Sequence, residues 1–453
     1  METGARHEQA CGETVMLNVR EYSSLLIHGG RVIDPYCGRD EVADVAIVGG
    51  RYTERAGAGA REIDAAGLIV CPGLADMHVH LREPGQSHKE TIETGTAAAA
   101  AGGFTLVACM PNTTPPIDSP DVVRWIIERS RETGYCEVAP VAAITRGRAG
   151  KDVTDFAALL EAGAVAFSDD GAGVDDEAVM LAAFQQAARL DTLLIQHCEF
   201  RHISAGGVMH LGEVSRRLGL PGLDPRSEEA MIERDIDLSR KTGGRYHVAH
   251  ISTAKAVELV RRAKREGLPV TAEVCTHHLL LTDEACAGAD PNTKMHPPLR
   301  QRDDVDACRR GLLDGAIDCI VTDHAPHTSA EKAAGFLKAP AGIVGLETAL
   351  GVAADAMIAT GAAGWPELVR WFTAGPSRAL SRPPHPIQHG QEANLTIVHP
   401  THRWVVRPDD FLSKGRNAPF GGWRLTGQAV ATIRGGRLLL TSHSATDCGL
   451  IPI

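Results

Sequence analysis

No two of the chain's eleven cysteines form a CxxC pair. Without that spacing there is no thiol-based zinc ribbon or redox motif to read. Cys71, Cys109, Cys198, Cys275 and Cys319 fall in or beside apolar runs, the expected setting of free, reduced, buried thiols in a cytoplasmic protein. Positive charge is also short. The 46 lysines and arginines face 57 aspartates and glutamates, a net charge of −11, so there is no electrostatic case for nucleic acid or an anionic membrane surface as a partner. A membrane span is absent as well: the uncharged stretch "TGTAAAAAGGFTLVACMPNTTPPI" is broken by Gly102 and Gly103 and closed by Pro111. The opening "METGARHEQACGETVMLNVR" mixes acids with its bases and has no apolar core, which excludes a secretory signal. It reads as a disordered extension over 1–22, with Met16 as an alternative start. No GxGxxG follows the first strand, since "AGAGARE" lacks the third glycine, and there is no GxSxG nucleophile elbow. Internal repeats and low-complexity segments are missing too.

What remains is an ordinary globular composition, 43% hydrophobic and 23% charged over 453 residues, the size of a barrel with a small companion domain. Short β-like runs with glycine-rich turns come first: "LLIHGGRVID", "VADVAIVGGRY" and "REIDAAGLIVCPG". From Ile69 onward, apolar runs of four to seven residues alternate with helix-like segments. Several of these, such as "TAKAVELVRRAKREG", begin at a Ser, Thr or Asp cap and end at Gly. Eight such alternations over about 300 residues point to a parallel (β/α)8 barrel rather than a doubly wound sheet. β character returns in "ANLTIVHP" and "QAVATIRGGRLLL", after the linker-like "SRPPHPIQHG". The expected division is a terminal β domain from 23–70 with 388–453, around a barrel spanning 71–387.

In a barrel of this kind the site lies at the C-terminal strand ends. There the chain places His78 and His80, Asp169 and Asp170, His197, His250 and Asp323. In "LADMHVHLR", Asp76, His78, His80 and Arg82 fall at every second position, so they share one face of an extended segment, with His78 and His80 pointing into the barrel mouth. Four histidines and two aspartates from five strand ends would leave many buried polar groups unpaired unless they hold metal. Imidazole with carboxylate suits two divalent ions of the zinc type. Such ions activate water and polarise a carbonyl, the chemistry of hydrolysing or forming an amide-like C–N bond. Asp323 is the candidate general base. His277 and His278 read as structural residues, and His247 as a core or surface residue behind His250.

"PGLADMHVHLREPGQ" resembles the opening signature of the amidohydrolase superfamily. The motifs that follow, "GGFTLVACMPNTTPP", "AFSDDGAGV", "QHCE", "HVAHIST", "TDHAPHTSAEKAAGF", "APAGIVGLETAL" and "SKGRNAPFGGWRLTGQ", are similar to those of the type I dihydroorotases, from about Leu25 to Leu440. The resemblance implies a distorted (β/α)8 barrel with a β-sandwich from both chain ends. It implies reversible cyclisation of N-carbamoyl-L-aspartate to L-dihydroorotate, the third step of pyrimidine synthesis, with two zinc ions. His78, His80 and Asp323 would hold one ion and His197 and His250 the other. Asp170 would bridge them, with Asp169 as the alternative. Many relatives bridge with a carbamylated lysine, and this segment has none. Arg82, Asn112, His327, Ala341 and Gly342 would bind substrate, Arg82 by a bidentate grip on a carboxylate. His296 stands where the family usually has asparagine. A mobile loop over 328–343, a homodimer and an aspartate carbamoyltransferase partner are further expectations. The competing readings are an allantoinase- or hydantoinase-like enzyme, and an inactive scaffold of the carbamoyltransferase, which would lose the metal ligands that this chain keeps.

Overall fold

The computed structural model describes residues 17–204 and 206–441. Eight parallel strands form one sheet in chain order: Leu74–Val79, Phe104–Cys109, Glu137–Ala142, Ala166–Phe167, Leu193–Gln196, Arg245–Val248, Val270–Cys275 and Cys319–Val321. The first strand is buried along its whole length, as are the fifth and the eighth. Burial on both faces explains why the strands read as continuous apolar runs instead of alternating ones.

The helices between them start and stop on local chemistry. Thr91 caps Ile92–Ala101 in a capping box with Thr94. Asp176 accepts from the amides of Ala178 and Val179 to start Glu177–Leu190, and Thr253 accepts from Ala256 N–H to start Ala254–Arg265. Gly134 and Gly243 end Pro120–Thr133 and Arg226–Thr242. One departure lies after the seventh strand. "PVTAEVCTHH" reads as one strand-like run, but the strand stops at Cys275 and Thr276–Leu280 turns into a short helix.

Met77, Ala139, Val141, Ala166, Ile195, Cys319 and Val321 come together in one buried cluster. It draws on or beside every barrel strand and fills the interior below the mouth. The barrel closes between its first and eighth strands. His80 N–H donates to His324 O at 2.9 Å, and Val79 bridges His324 in parallel. Asp76 completes the seam: one carboxylate oxygen accepts from Thr322 N–H (3.1 Å) and Thr322 Oγ1 (2.5 Å), the other from His78 N–H (3.0 Å).

Both chain ends build a second, nine-stranded sheet. It contains Leu17–Glu21, Ser24–Asp34, Arg39–Val48, Arg51–Thr53, Arg61–Asp64, Ile69–Pro72, Asn394–Val405, Arg424–Arg434 and Arg437–Thr441. Bulges after Ile27 and Ile397 bend it. Its two outer hairpin turns meet where Gly50, at a φ of +75°, leaves a would-be Cβ only 2.6 Å from Gly435 O. The sheet is therefore a curled sandwich, closed over Leu25, Ile27, Val45, Ile47, Leu395 and Ile433. Thr396 and Thr432 tie it to the barrel by donating to Gly103 O (2.6 Å) and Ala100 O (2.7 Å).

Two expectations change here. Most of the extension expected to be disordered, residues 1–16, lies outside the described residues. Leu17–Glu21, however, is an edge strand in antiparallel register with Arg437–Thr441. Its pairing is a backbone ladder against an open edge, which a polar, weakly alternating segment does not announce. Ile69–Pro72 belongs to the terminal sheet, paired with Leu395–Val398, so the change of sheet falls at Gly73.

The seam generates a prediction. Asp76→Ala strips the partner from three buried donors and should cost about 2–4 kcal/mol. A lowered denaturant midpoint of the purified variant checks it.

Candidate metal centre

Every histidine and aspartate expected at the mouth lies at or within a few residues of a barrel strand's C-terminal end. His78 sits inside the first strand and His80 just beyond it; His197 follows the fifth, His250 the sixth, Asp323 the eighth. Asp170 follows Ala166–Phe167. Their side chains converge. His78 Nε2 is 3.3 Å from Asp170 Oδ1 and 3.7 Å from Asp323 Oδ1. His80 Nε2 is 2.9 Å from Asp323 Oδ1 and 3.5 Å from Asp170 Oδ2. His197 Nδ1 and His250 Nε2 each lie 3.6 Å from Asp170 Oδ1, and 2.9 Å from one another. Potential ligand atoms of His78, His80 and Asp323, and of His78, Asp170 and His250, lie within 4.8 Å of one another.

Asp169 and Asp170 divide. Asp169 accepts from Thr145 N–H at 3.0 Å and from the Thr145 hydroxyl, so it anchors the loop, and Asp170 alone faces the imidazoles. Burial disfavours charge on Asp170, but His78, His197 and His250 outweigh it and hold the carboxyl well below its ordinary range. Burial likewise opposes charge on His197, yet Asp170 and Glu199 raise it to about 9. Without a metal, these groups share protons; with one, the cation takes the protons' place.

The donor set fits a divalent ion. His78 Nε2 and Asp170 Oδ1 are buried and lack a hydrogen-bond partner despite their proximity. They meet at the centre of a nitrogen-and-carboxylate cluster without sulfur, the donor chemistry of zinc-like ions.

Behind the imidazoles stands a layer of acceptors. Glu273, on the seventh strand, is fully buried. Its Oε1 is 2.5 Å from His78 Nδ1 and accepts from His250 N–H at 3.3 Å, while Oε2 is 3.2 Å from His247 Nε2. His247 Nδ1 in turn lies 2.7 Å from Thr271 Oγ1. Glu199 reaches His197 Nε2 at 3.3 Å, and Asn112 Oδ1 reaches His80 Nδ1 at 2.8 Å. Such partners fix ring orientation and tautomer. Glu273 and Glu199 escape a reading from sequence, because "AEVC" and "QHCE" carry no spacing signal. His247 is buried as core, but it belongs to this relay. His277 and His278 are also buried, and His278 Nε2 lies 3.0 Å from Pro297 O.

Above the cluster opens a cavity of about 230 Å³ lined by His80, Arg82, Asn112, Asp170, His197, His296, Asp323, His327, Ala341 and Gly342, among others. Arg82 is buried, donates from Nε to Pro326 O at 3.2 Å, and has its pKa lowered by burial to about 10, so it stays charged. His327 Nε2 lies 3.0 Å from Ala341 O. Gly342 must be glycine, because a Cβ would stand 2.6 Å from Ala325 O and 2.8 Å from His327 Cδ2. Burial lowers His296 to about 4, leaving a neutral ring whose Nε2 has no partner. The loop over 328–343 is tied down, contrary to expectation. Lys332 Nζ donates to Pro291 O (2.9 Å) and Pro340 O (3.0 Å), and Lys294 Nζ donates to Leu337 O (3.1 Å) and Ala339 O (2.7 Å).

A family model described as Dihydro-orotase-like matches residues 67–256. The dihydroorotase of Pelotomaculum thermopropionicum is 50% identical over 421 residues, covering 92% of this chain and 98% of that one. That of Syntrophus aciditrophicus is 44% identical over 421 residues, covering 92% and 99%. Among solved structures, an L-hydantoinase (dihydropyrimidinase) from Arthrobacter aurescens has a TM-score of 0.82 at 24% identity, over 91% of this chain and 95% of that one. At that identity the likeness concerns the fold.

Removing the acceptor behind His78 should loosen metal without emptying the pocket. Glu273→Gln is expected to weaken metal retention by about 10- to 100-fold, read as metal content after dialysis against graded chelator.

Proposed function

The chain belongs to the dihydroorotase family, and we propose that it works with two zinc ions held by His78, His80, Asp170, His197, His250 and Asp323. It is a cyclic amidohydrolase that interconverts N-carbamoyl-L-aspartate and L-dihydroorotate plus water. The observation that carries the metal reading is the convergence of four imidazoles and two carboxylates around His78 Nε2 and Asp170 Oδ1, both buried and unpartnered.

When bound, the ions lower the pKa of a water molecule and polarise the ring amide carbonyl. The chain's own groups supply the rest. Asp323 is ionised at neutral pH: burial opposes its charge, but His78 and His80 outweigh burial and hold its pKa below the usual value. At the mouth of the eighth strand it takes the proton from the attacking water in hydrolysis and returns it to nitrogen. Arg82, charged and buried at the cavity wall, grips the carboxylate that stays free in the ring product. Asn112 spends its Oδ1 on His80 and keeps its amide hydrogens for substrate. His296, neutral and unpartnered, can donate one hydrogen bond where an asparagine would offer its amide. His327, Ala341 and Gly342 form the facing wall.

The proposal extends to the third step of pyrimidine synthesis, to a cytoplasmic setting and to a homodimer. It also includes an aspartate carbamoyltransferase partner, the class of enzyme that makes N-carbamoyl-aspartate. No helix among the described residues is long and apolar enough to cross a membrane.

A paired assay tests the reading. Dihydroorotate should be hydrolysed, dihydrouracil and hydantoin far less, and chelator should abolish turnover until zinc is restored. Equal rates on hydantoin would point to the other cyclic amidohydrolases. Arg82→Ala should raise KM for dihydroorotate by about 10- to 100-fold, as expected for a lost charge-assisted pair. Asp323→Asn, assayed at measured metal content, should lower kcat by about 10²–10⁴-fold with KM little changed.

A further inference from the structure

The pocket's facing wall is held by a segment that the chain order places in the terminal sheet. Residues 412–417 lie between strands Asn394–Val405 and Arg424–Arg434 and run across to the barrel mouth. Glu347 accepts from Leu412 N–H (3.0 Å) and Ser413 N–H (3.2 Å). Glu90 accepts from Ser413 Oγ (2.5 Å) and Lys414 N–H (3.2 Å). At Gly415 the strap presses so close that a Cβ would stand 2.5 Å from Val344 Cγ1 and 2.8 Å from Pro326 Cβ.

The strap ends on Asn417, which is 2% exposed. Its Oδ1 accepts from His327 N–H at 3.0 Å. Its Nδ2 donates to Ala325 O at 3.0 Å and to Gly342 O at 2.9 Å. Its backbone oxygen accepts from Val344 N–H at 3.1 Å. One amide thus pairs both its acceptor and its donors with three pocket-lining residues, Ala325 and His327 on one chain segment and Gly342 on another. Asn417 itself is not among the residues that line the pocket, and none of these hydrogen bonds involves a residue of the metal cluster.

We infer that Asn417 is a positioning residue: it sets the spacing between His327 and Gly342 and so the substrate's fit. This rests on the reading that the pocket takes dihydroorotate. The chemistry of the amide is specific. Aspartate would keep the acceptor for His327 N–H but set an oxygen against the two carbonyl groups, repelling the wall that asparagine draws together.

The test is steady-state kinetics with dihydroorotate on zinc-loaded wild type, Asn417→Ala and Asn417→Asp, with zinc content and melting temperature measured alongside. The expected result is a KM raised by about 10-fold or more in both variants, with kcat per zinc-loaded site within a few-fold of wild type. A role confined to stability would lower the melting temperature and the active fraction while leaving KM unchanged. Either that outcome or failure of both variants to fold overturns the inference. Wild type without dihydroorotate hydrolysis would instead sink the functional reading on which it rests.

Discussion

His78 stands among three buried carboxylates. Its Nε2 lies 3.3 Å from Asp170 and 3.7 Å from Asp323, and its Nδ1 lies 2.5 Å from Glu273. Glu273 is held well below the ordinary carboxylate range: its own burial opposes that, and His78 and His247 outweigh it. Each attraction between unit charges about 4 Å apart is worth about 4 kcal/mol at an effective dielectric constant of about 20. Three carboxylates around one ring therefore demand compensating positive charge, and the other imidazoles face the same demand. The rest of the structure serves to keep these groups where they would not stay on their own.

Backbone strain records the same constraint. Of seven described non-glycine residues at positive φ, three stand at the mouth: Arg82, His250 and Asp323, at +60°, +33° and +46°. Conformations of this sort cost about 1–3 kcal/mol each and persist only where the surroundings over-determine them. Here the surroundings are a closed barrel, sealed by Asp76 and the His80–His324 bond, with an apolar plug below the mouth. Three strained residues at one rim are affordable because the strands beneath them have no freedom to relax.

Much of this was legible in the sequence because it is written locally. Apolar runs, caps at Thr91, Asp176 and Thr253, and polar residues just past each run place the barrel and the cluster with no knowledge of which strand neighbours which. What stayed hidden is what depends on pairing across long separations. Thr322 answers Asp76 from 246 positions away, and Glu273 answers His78 from 195. Leu17–Glu21 forms a strand only because the edge of Arg437–Thr441 lies beside it. The 328–343 loop looked mobile from its alanines and glycines, yet Lys294, Lys332 and Asn417 hold it through backbone carbonyls, partners that leave no mark on composition.

The adjacent aspartates show how local and distant constraints combine. A carboxylate on one methylene reaches the histidines only if the backbone comes to them, and this loop follows a strand of just two residues, Ala166–Phe167. Asp169 brings it in by binding Thr145, Ser168 Oγ accepts from Asp170 N–H at 3.0 Å, and Arg148 clamps Asp170 O from outside. Gly171 and Gly173, at φ +76° and +36°, then turn the chain away. Near Gly173 a side chain would crowd His197 O and Glu199 O at 3.0 and 3.2 Å. A longer side chain could reach the same centre from a more distant backbone. With aspartate the short reach must be met by the loop, which ties "SDDGAG" to the geometry of the cluster as closely as the histidines themselves.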